Sequence, residues 1–267
     1  FNQNTHRIAV GEPLGQFYGY ITEGLYQVDD FNYDASTQTY TLKDGIPYHG
    51  DKSRIRPGMW KFKNLTGDDN VIDENDKTVI GNAQPKFYGG LNNSFTYKGF
   101  DLSIFLTFSY GNEVLNATKL VTSKVGSLNY NALDVMNSSN RWMTINSDGQ
   151  KVTDPGELAA LNAGKTVAAY HDAQQGDNYI HSWAVEDASY LKLSNVTLGY
   201  TFPKKLIARV GLKNLRLYAT GNNLLTWTKY SGFDPEVSTM KSGLTPGVDF
   251  GAYPLSRSFI FGLNVAF

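Results

Sequence analysis

Cysteine is absent from the 267 residues, which excludes a disulfide scaffold and thiol chemistry. Also missing is any apolar run near the ~20 residues that a membrane helix requires. Barrel strands, with only ~10 residues in alternation, are not excluded by that lack. Charge of one sign is missing too. The net charge is −1 and no basic face stands out, so nucleic acid is not an expected partner. Neither an initiating Met nor a signal segment stands at Phe1, and a mature or clipped piece is therefore expected. What the chain does have is length enough for a core, with 26 Gly, 17 Tyr and 15 Phe.

The aromatics fall in strand patterns. In Arg257–Phe267, Phe259, Phe261, Leu263, Val265 and Phe267 share one face, while Ser258, Gly262, Asn264 and Ala266 fill the other with Ile260 as the exception. In a soluble sandwich this would be an aggregation-prone edge. In an outer-membrane barrel the Phe face meets lipid. Phe100, Leu102, Ile104, Leu106, Phe108 and Tyr110 alternate in the same way, and Lys98-Gly99 before them is a hairpin turn signal. Six spanning strands are predicted, at about 14–27, 86–98, 100–112, 188–202, 214–228 and 256–267. Long connections (28–85, 113–187, 229–255) alternate with short ones (98–99, 203–213), as extracellular loops alternate with periplasmic turns. Tyr97, Phe100, Tyr200 and Phe202 at the short-turn end, and Tyr110, Tyr190, Trp227 and Tyr230 at the other, suit two interfacial girdles. The predicted fold class is all-β, an antiparallel transmembrane β-barrel segment. Six strands cannot close a barrel of about eight or more, so a larger one is expected.

Several blocks carry a family resemblance. They are Pro13-Leu-Gly-Gln-Phe-Tyr-Gly-Tyr20, Asp73-Glu-Asn-Asp-Lys-Thr-Val-Ile-Gly-Asn82 and Gly90-Leu-Asn-Asn-Ser-Phe-Thr-Tyr-Lys-Gly-Phe-Asp-Leu102. Ser189–Tyr200, Asn214-Leu-Arg-Leu-Tyr218 and Gly221-Asn-Asn-Leu-Leu-Thr-Trp-Thr-Lys-Tyr-Ser-Gly-Phe-Asp-Pro-Glu236 continue the series. In this order they resemble the SusC/RagA family of TonB-linked (TonB-dependent) outer-membrane transporters, from about residue 8 to Phe267. The stretch looks like the C-terminal quarter or so of such a protein. The resemblance implies a 22-stranded barrel in a Gram-negative, Bacteroides-type outer membrane, with a plug and TonB box upstream of this sequence. It implies partners as well: TonB, a SusD-like surface lipoprotein, the remaining barrel and plug, outer-membrane lipid, and a bulky oligosaccharide or peptide as the imported nutrient. Transport, not enzyme activity, is expected. A soluble β-rich glycan-binding module is the competing reading.

The strongest site candidate is the acidic stretch Asn64–Asp76. Calcium loops place oxygen ligands at alternating positions with a carboxylate near the end. The family often carries such a loop here. This sequence departs from it by one inserted residue and a missing Gly. With the insertion skipped, Asn64, Thr66, Asp68, Asp73 and Asp76 fall at ligand positions for Ca2+. An acidic solvated turn is the alternative. Ala159–Thr166 matches a relaxed phosphate-loop pattern, but Asp154-Pro155-Gly156-Glu157 before it reads as an N-cap, N1 Pro and capping-box Glu, with Gly164 closing the helix. His6, His49, His171 and His181 are scattered and make no metal pair. Trp60, Trp142, Trp183, Tyr170 and Tyr179 either stack on a ligand or pack the long loops together.

Overall fold

Alternation of large apolar and small polar residues yields five long strands in the structure, a computed structural model that describes residues 4–67, 69–123, 131–168, 179–240 and 242–267. They are β1 (Phe87–Tyr97), β2 (Phe100–Tyr110), β3 (Tyr190–Thr201), β4 (Asn214–Thr228) and β5 (Ser258–Ala266). All pair antiparallel, in the order β5-β4-β3-β2-β1. Lys98 and Gly99 join β1 to β2 with φ of 46° and 89°. Two consecutive positive φ values match the right-handed twist of a tight hairpin, and Gly takes its share at little cost. Between β3 and β4 the chain makes one helical turn at Lys204–Ile207 and one 3-10 turn at Ala208–Val210.

The register sorts side chains into cross-sheet rows. Tyr97, Phe100, Tyr200, Leu217 and Leu263 form one row, and Phe95, Leu102, Leu198, Ala219 and Phe261 form the next on the same face. The opposite face carries Ser94, Ser103, Thr197 and Thr220, ending in Ile260, and beside them Asn92, Phe105, Asn195, Asn222 and Ser258. A bulge keeps the sorting intact. Ser194 is an extra residue in β3, and Asn223-Leu224 answer it in β4. The odd-numbered Leu191 and Leu193 therefore share a face with the even-numbered Val196, Leu198 and Tyr200, as a one-residue insertion in a period-two strand requires.

No hydrophobic side chain on these five strands is buried, and Phe259 and Phe261 are 67% and 81% exposed. The core lies in the connecting segments instead. Phe17, Leu115, Ala117, Leu120, Ile180, Ala184 and Val248 form one cluster drawn from the stretch before residue 28 and from the second and third long connections, and Ile80 and Ala83 of the first connection pack against it. Backbone pairing ties them as well. Glu113–Asn116 pairs antiparallel with Val185–Asp187 and parallel with Val248–Asp249. We call this packed assembly the loop body.

The predicted spanning strand over 14–27 is not one. That stretch breaks into Gln16–Gly19, paired with Thr78–Asn82, and Thr22–Leu25, paired with Trp60–Phe62. Gln16, Phe17, Gly19 and Tyr20 are all buried, so both strand faces are covered by protein and neither is left for lipid. The stretch belongs to the loop body.

Candidate functional site

Two surfaces are arranged to do something beyond holding the fold: the polar face of the sheet and the loop body above it. On the polar face, Asp101 of β2 and Arg216 of β4 meet across β3 in a bidentate pair of 2.5 and 3.1 Å. Gly199 of β3 lies beneath them. A Cβ there would collide with the Arg216 guanidinium and the Asp101 carboxylate. The Tyr218 ring covers Gly262 in the same way, with the Arg216 guanidinium 5.1 Å above the ring centre. Side-chain bonds continue along the face: Ser103 donates to Asn92, Asn195 to Asn222 and Asn222 to Ser258. The result is a polar wall with its charges paired.

Where this wall meets the loop body there is a cleft of ≈ 410 Å³. Tyr88, Ser109, Asn112, Tyr190 and Glu236 contribute its polar lining. Glu236 comes from the third long connection, accepts from the Tyr190 hydroxyl at 2.7 Å and pairs with Lys192 at 2.5 Å. A loop is thereby clamped onto a strand by a charge-assisted bond. A second cleft of ≈ 530 Å³ opens on the loop body itself between Glu23, Asp30, Lys61 and Lys165, with Asp30 and Lys61 paired at 3.1 Å.

The loop body is stiffened by rings. Tyr20 stacks on Phe62 at 5.2 Å, Trp60 lies 5.0 Å from Trp183, and His49 meets Tyr179 edge-on at 4.4 Å. Trp142 is buried with Leu25, Val28 and Leu158. Of the loop aromatics singled out in the sequence, these four pack connections together, and Tyr170 lies outside the described residues. Lys119 lies 4.1 Å over the Trp183 ring and pairs with Glu186 at 3.0 Å. Burial opposes the Glu186 charge, but the Ser231 hydroxyl and amide, with Lys119, outweigh it and hold the carboxyl below its ordinary value. His6 bonds the Pro246 carbonyl at 2.9 Å and His181 bonds Thr22 at 2.8 Å. These histidines are ties between segments, and His171 lies outside the described residues.

In the acidic stretch, Asp76 is fully buried. Its carboxylate accepts from the Leu65 and Thr66 amides, the Thr66 hydroxyl and the Asp73 amide, at 2.6 to 3.2 Å. Burial raises its pKa, yet these donors win and hold the carboxyl below its ordinary value. Asp73 is turned to the Asn75 amide at 2.7 Å, and Asn64 donates to the Asp69 carbonyl. Asp68 lies outside the described residues. A calcium ion needs 6–8 oxygens pointing inward. Here the oxygens of Asp73 and Asp76 point at amides, and among the described residues no three of Asp, Glu and His converge. At Asp154 the capped helix is found: Pro155–Leu161 begins with the Glu157 amide donating to the Asp154 carboxylate, and it ends at Asn162, two residues before Gly164.

No family model matches the chain. It is 33% identical to the TonB-dependent receptor P3 of Formosa agariphila over 99% of this chain and 23% of that protein. With receptor P39 of the same organism it shares 31% over 100% of this chain and 26% of the relative. SusC of Bacteroides thetaiotaomicron is 28% identical over 74% of this chain and 17% of its own length. The chain thus spans about a quarter or less of the curated relatives it matches. Among solved structures, the RagAB peptide transporter superposes with a TM-score of 0.60 at 22% identity, covering 94% of this chain and 22% of that one. The RagAB peptide importer in its closed-closed state gives 0.60 at 21%, over 94% and 23%. Sequence and fold agree, and the chain is a segment of a TonB-dependent receptor of the SusC/RagA family.

Proposed function

We propose that this segment forms part of the barrel wall and the extracellular loops of an outer-membrane transporter that imports a bulky nutrient in a TonB-dependent step. The observation that carries the reading is the five-stranded sheet with its apolar rows exposed on one face and its ion-paired polar rows on the other. In water such a face of Phe, Leu and Tyr, far wider than scattered surface residues, would drive association. Against hydrocarbon it is the favourable surface, with the polar face lining a lumen. Among the described residues, neither edge strand, β1 or β5, has a further neighbour. In lipid those backbone groups require further strands, which supports closure into the larger, 22-stranded barrel that the family resemblance implies. A soluble glycan-binding module would have to hide the same rows in a core, and the described residues supply no layer over them.

The relatives' names support the remaining parts. A peptide is the cargo named for RagAB, and an oligosaccharide or peptide is the substrate class we infer here. The loop body would face the outside and meet that cargo together with a SusD-like surface lipoprotein. Plug and TonB contacts belong to other parts of the receptor. We assign no catalytic step to this segment.

Leu263 and Asn264 are neighbours on β5 with opposite faces, Leu263 beside Leu217 and Asn264 beside Arg216. A charge on the lipid face near mid-bilayer costs ~2–4 kcal/mol, against much less at a lumen position. Leu263→Arg in the full-length receptor should deplete the folded protein from the outer membrane, whereas Asn264→Arg should leave it near wild type. Surface abundance measures both. Equal behaviour of the two variants would overturn the wall reading.

A further inference from the structure

Acidic residues are absent from the whole stretch 188–233, although the chain has 25 of them. The same stretch holds seven cations: Lys192, Lys204, Lys205, Arg209, Lys213, Arg216 and Lys229. Lys192 and Arg216 are neutralised by Glu236 and Asp101, and Lys229 acts on Asp187. The other four sit together in the β3–β4 connection at one rim of the sheet. All are exposed, as is Lys98 in the neighbouring β1–β2 turn. Among the described residues none of the five is within salt-bridge distance of a carboxylate. The connection also exposes large apolar groups. Leu206 and Val210 are 55% and 72% exposed, whereas Ile207 between them is buried. Both therefore stand exposed in the same short connection as the four cations. Next to it, on the apolar face of the sheet, Phe100 and Tyr200 lie 4.5 Å apart and Phe202 closes on Tyr200 at 5.0 Å.

Cations without acids, exposed Leu and Val, and a bordering aromatic cluster are what an amphipathic element needs at a charged lipid interface: apolar groups for the acyl boundary and ammonium and guanidinium groups for phosphate. A merely solvated turn would gain nothing from Leu206 and Val210. We propose that the β3–β4 connection, with Lys98, is a binding surface for anionic phospholipid headgroups in the leaflet that borders the short turns. Lys204, Lys205, Arg209 and Lys213 hold the phosphates, and Leu206 and Val210 dip below them. The proposal rests on the membrane-wall reading, and its occupant follows from charge complementarity and from continuity with the apolar face.

Full-length receptor and a Lys204→Gln/Lys205→Gln/Arg209→Gln/Lys213→Gln variant are each equilibrated with equal phosphatidylglycerol and phosphatidylethanolamine. Retained lipid is then counted by mass spectrometry. Each basic residue near an anionic surface is worth about a fivefold preference. Wild type should therefore enrich phosphatidylglycerol, and the variant should lose roughly tenfold or more of that enrichment. A Leu206→Ser/Val210→Ser variant should retain less of both lipids without changing their ratio. Equal enrichment in wild type and the fourfold variant would overturn the proposal. So would a variant that loses stability in pure phosphatidylethanolamine nanodiscs, because the cations would then be meeting an acidic segment of the receptor. Wild type that enters neither kind of nanodisc would instead remove the wall reading beneath it.

Discussion

Asp76 shows how one side chain sets the course of a turn. Its four donors come from residues 65, 66 and 73, so the carboxylate closes the turn that the calcium spacing also describes. Alternating oxygens were legible in the sequence. Whether they face an ion or the loop's own amides was not, because both uses select the same residue types. Asp76→Asn exchanges an acceptor for a donor facing those amides, an expected loss of about 1–3 kcal/mol. Cleavage within 60–80 by protease should accelerate in the variant. In wild type the rate should be the same with calcium as with chelator, and protection by calcium would mean that the carboxylates can turn onto the ion. His49 and His6 make a second case. Burial first holds both below the ordinary 6.5; for His49 Glu74 opposes this and Lys77 adds to it, and for His6 the Pro246 carbonyl opposes it. The folded state then binds fewer protons than the unfolded one. Stability is fully present above 6.5 and falls as pH drops through the window just below it. Hydrogen-exchange protection factors around Tyr20 and Phe62, taken relative to the intrinsic rate at each pH, should fall between about pH 7.5 and about pH 5.5, and His49→Phe should flatten that change.

Strands were the most legible elements, since period two survives wherever one face meets a uniform medium. β2 and β5 could be read residue by residue, and their faces fall where alternation put them. The bulge in β3 left a trace too: its leucines switch from odd to even numbers across Ser194-Asn195, a switch that only an extra residue reconciles with one apolar face. The 14–27 stretch misled because Gly and aromatics also serve a loop that is covered on both sides, and that covering comes from distant residues such as Ile180 and Val248. Deleting Ser194 should turn Leu191 and Leu193 to the polar face and bring the protein below detection at the cell surface. Ser194→Ala removes only the hydroxyl that meets Thr107 at 2.7 Å, an expected loss of about 1 kcal/mol. Surface abundance of the two variants separates register from contact; similar abundance would mean that β3 slips to accommodate the loss.

At the scale of the molecule, the long connections emerge at one end of the sheet and the two short ones at the other. Introduced cysteines read the orientation directly, since the chain has none of its own. Asp148→Cys should react with an impermeant reagent on intact cells and Lys205→Cys should not; the reverse would invert the topology. This end-to-end polarity was legible from loop lengths alone. The interior of the loop body was not, because its core joins residues more than 100 positions apart, such as Phe17 and Val248. That shared core has a consequence for how such receptors diversify. Leu115 pairs with Val248 in the cluster that holds Phe17 and against which Ile80 and Ala83 pack, so the three connections resemble the sides of an arch more than three separate tethers. A graft of 229–255 alone from a relative would bring a foreign keystone to an unchanged frame. Chimeras that exchange all three connections together should fold where single exchanges fail, and binding preference would then be inherited as a block.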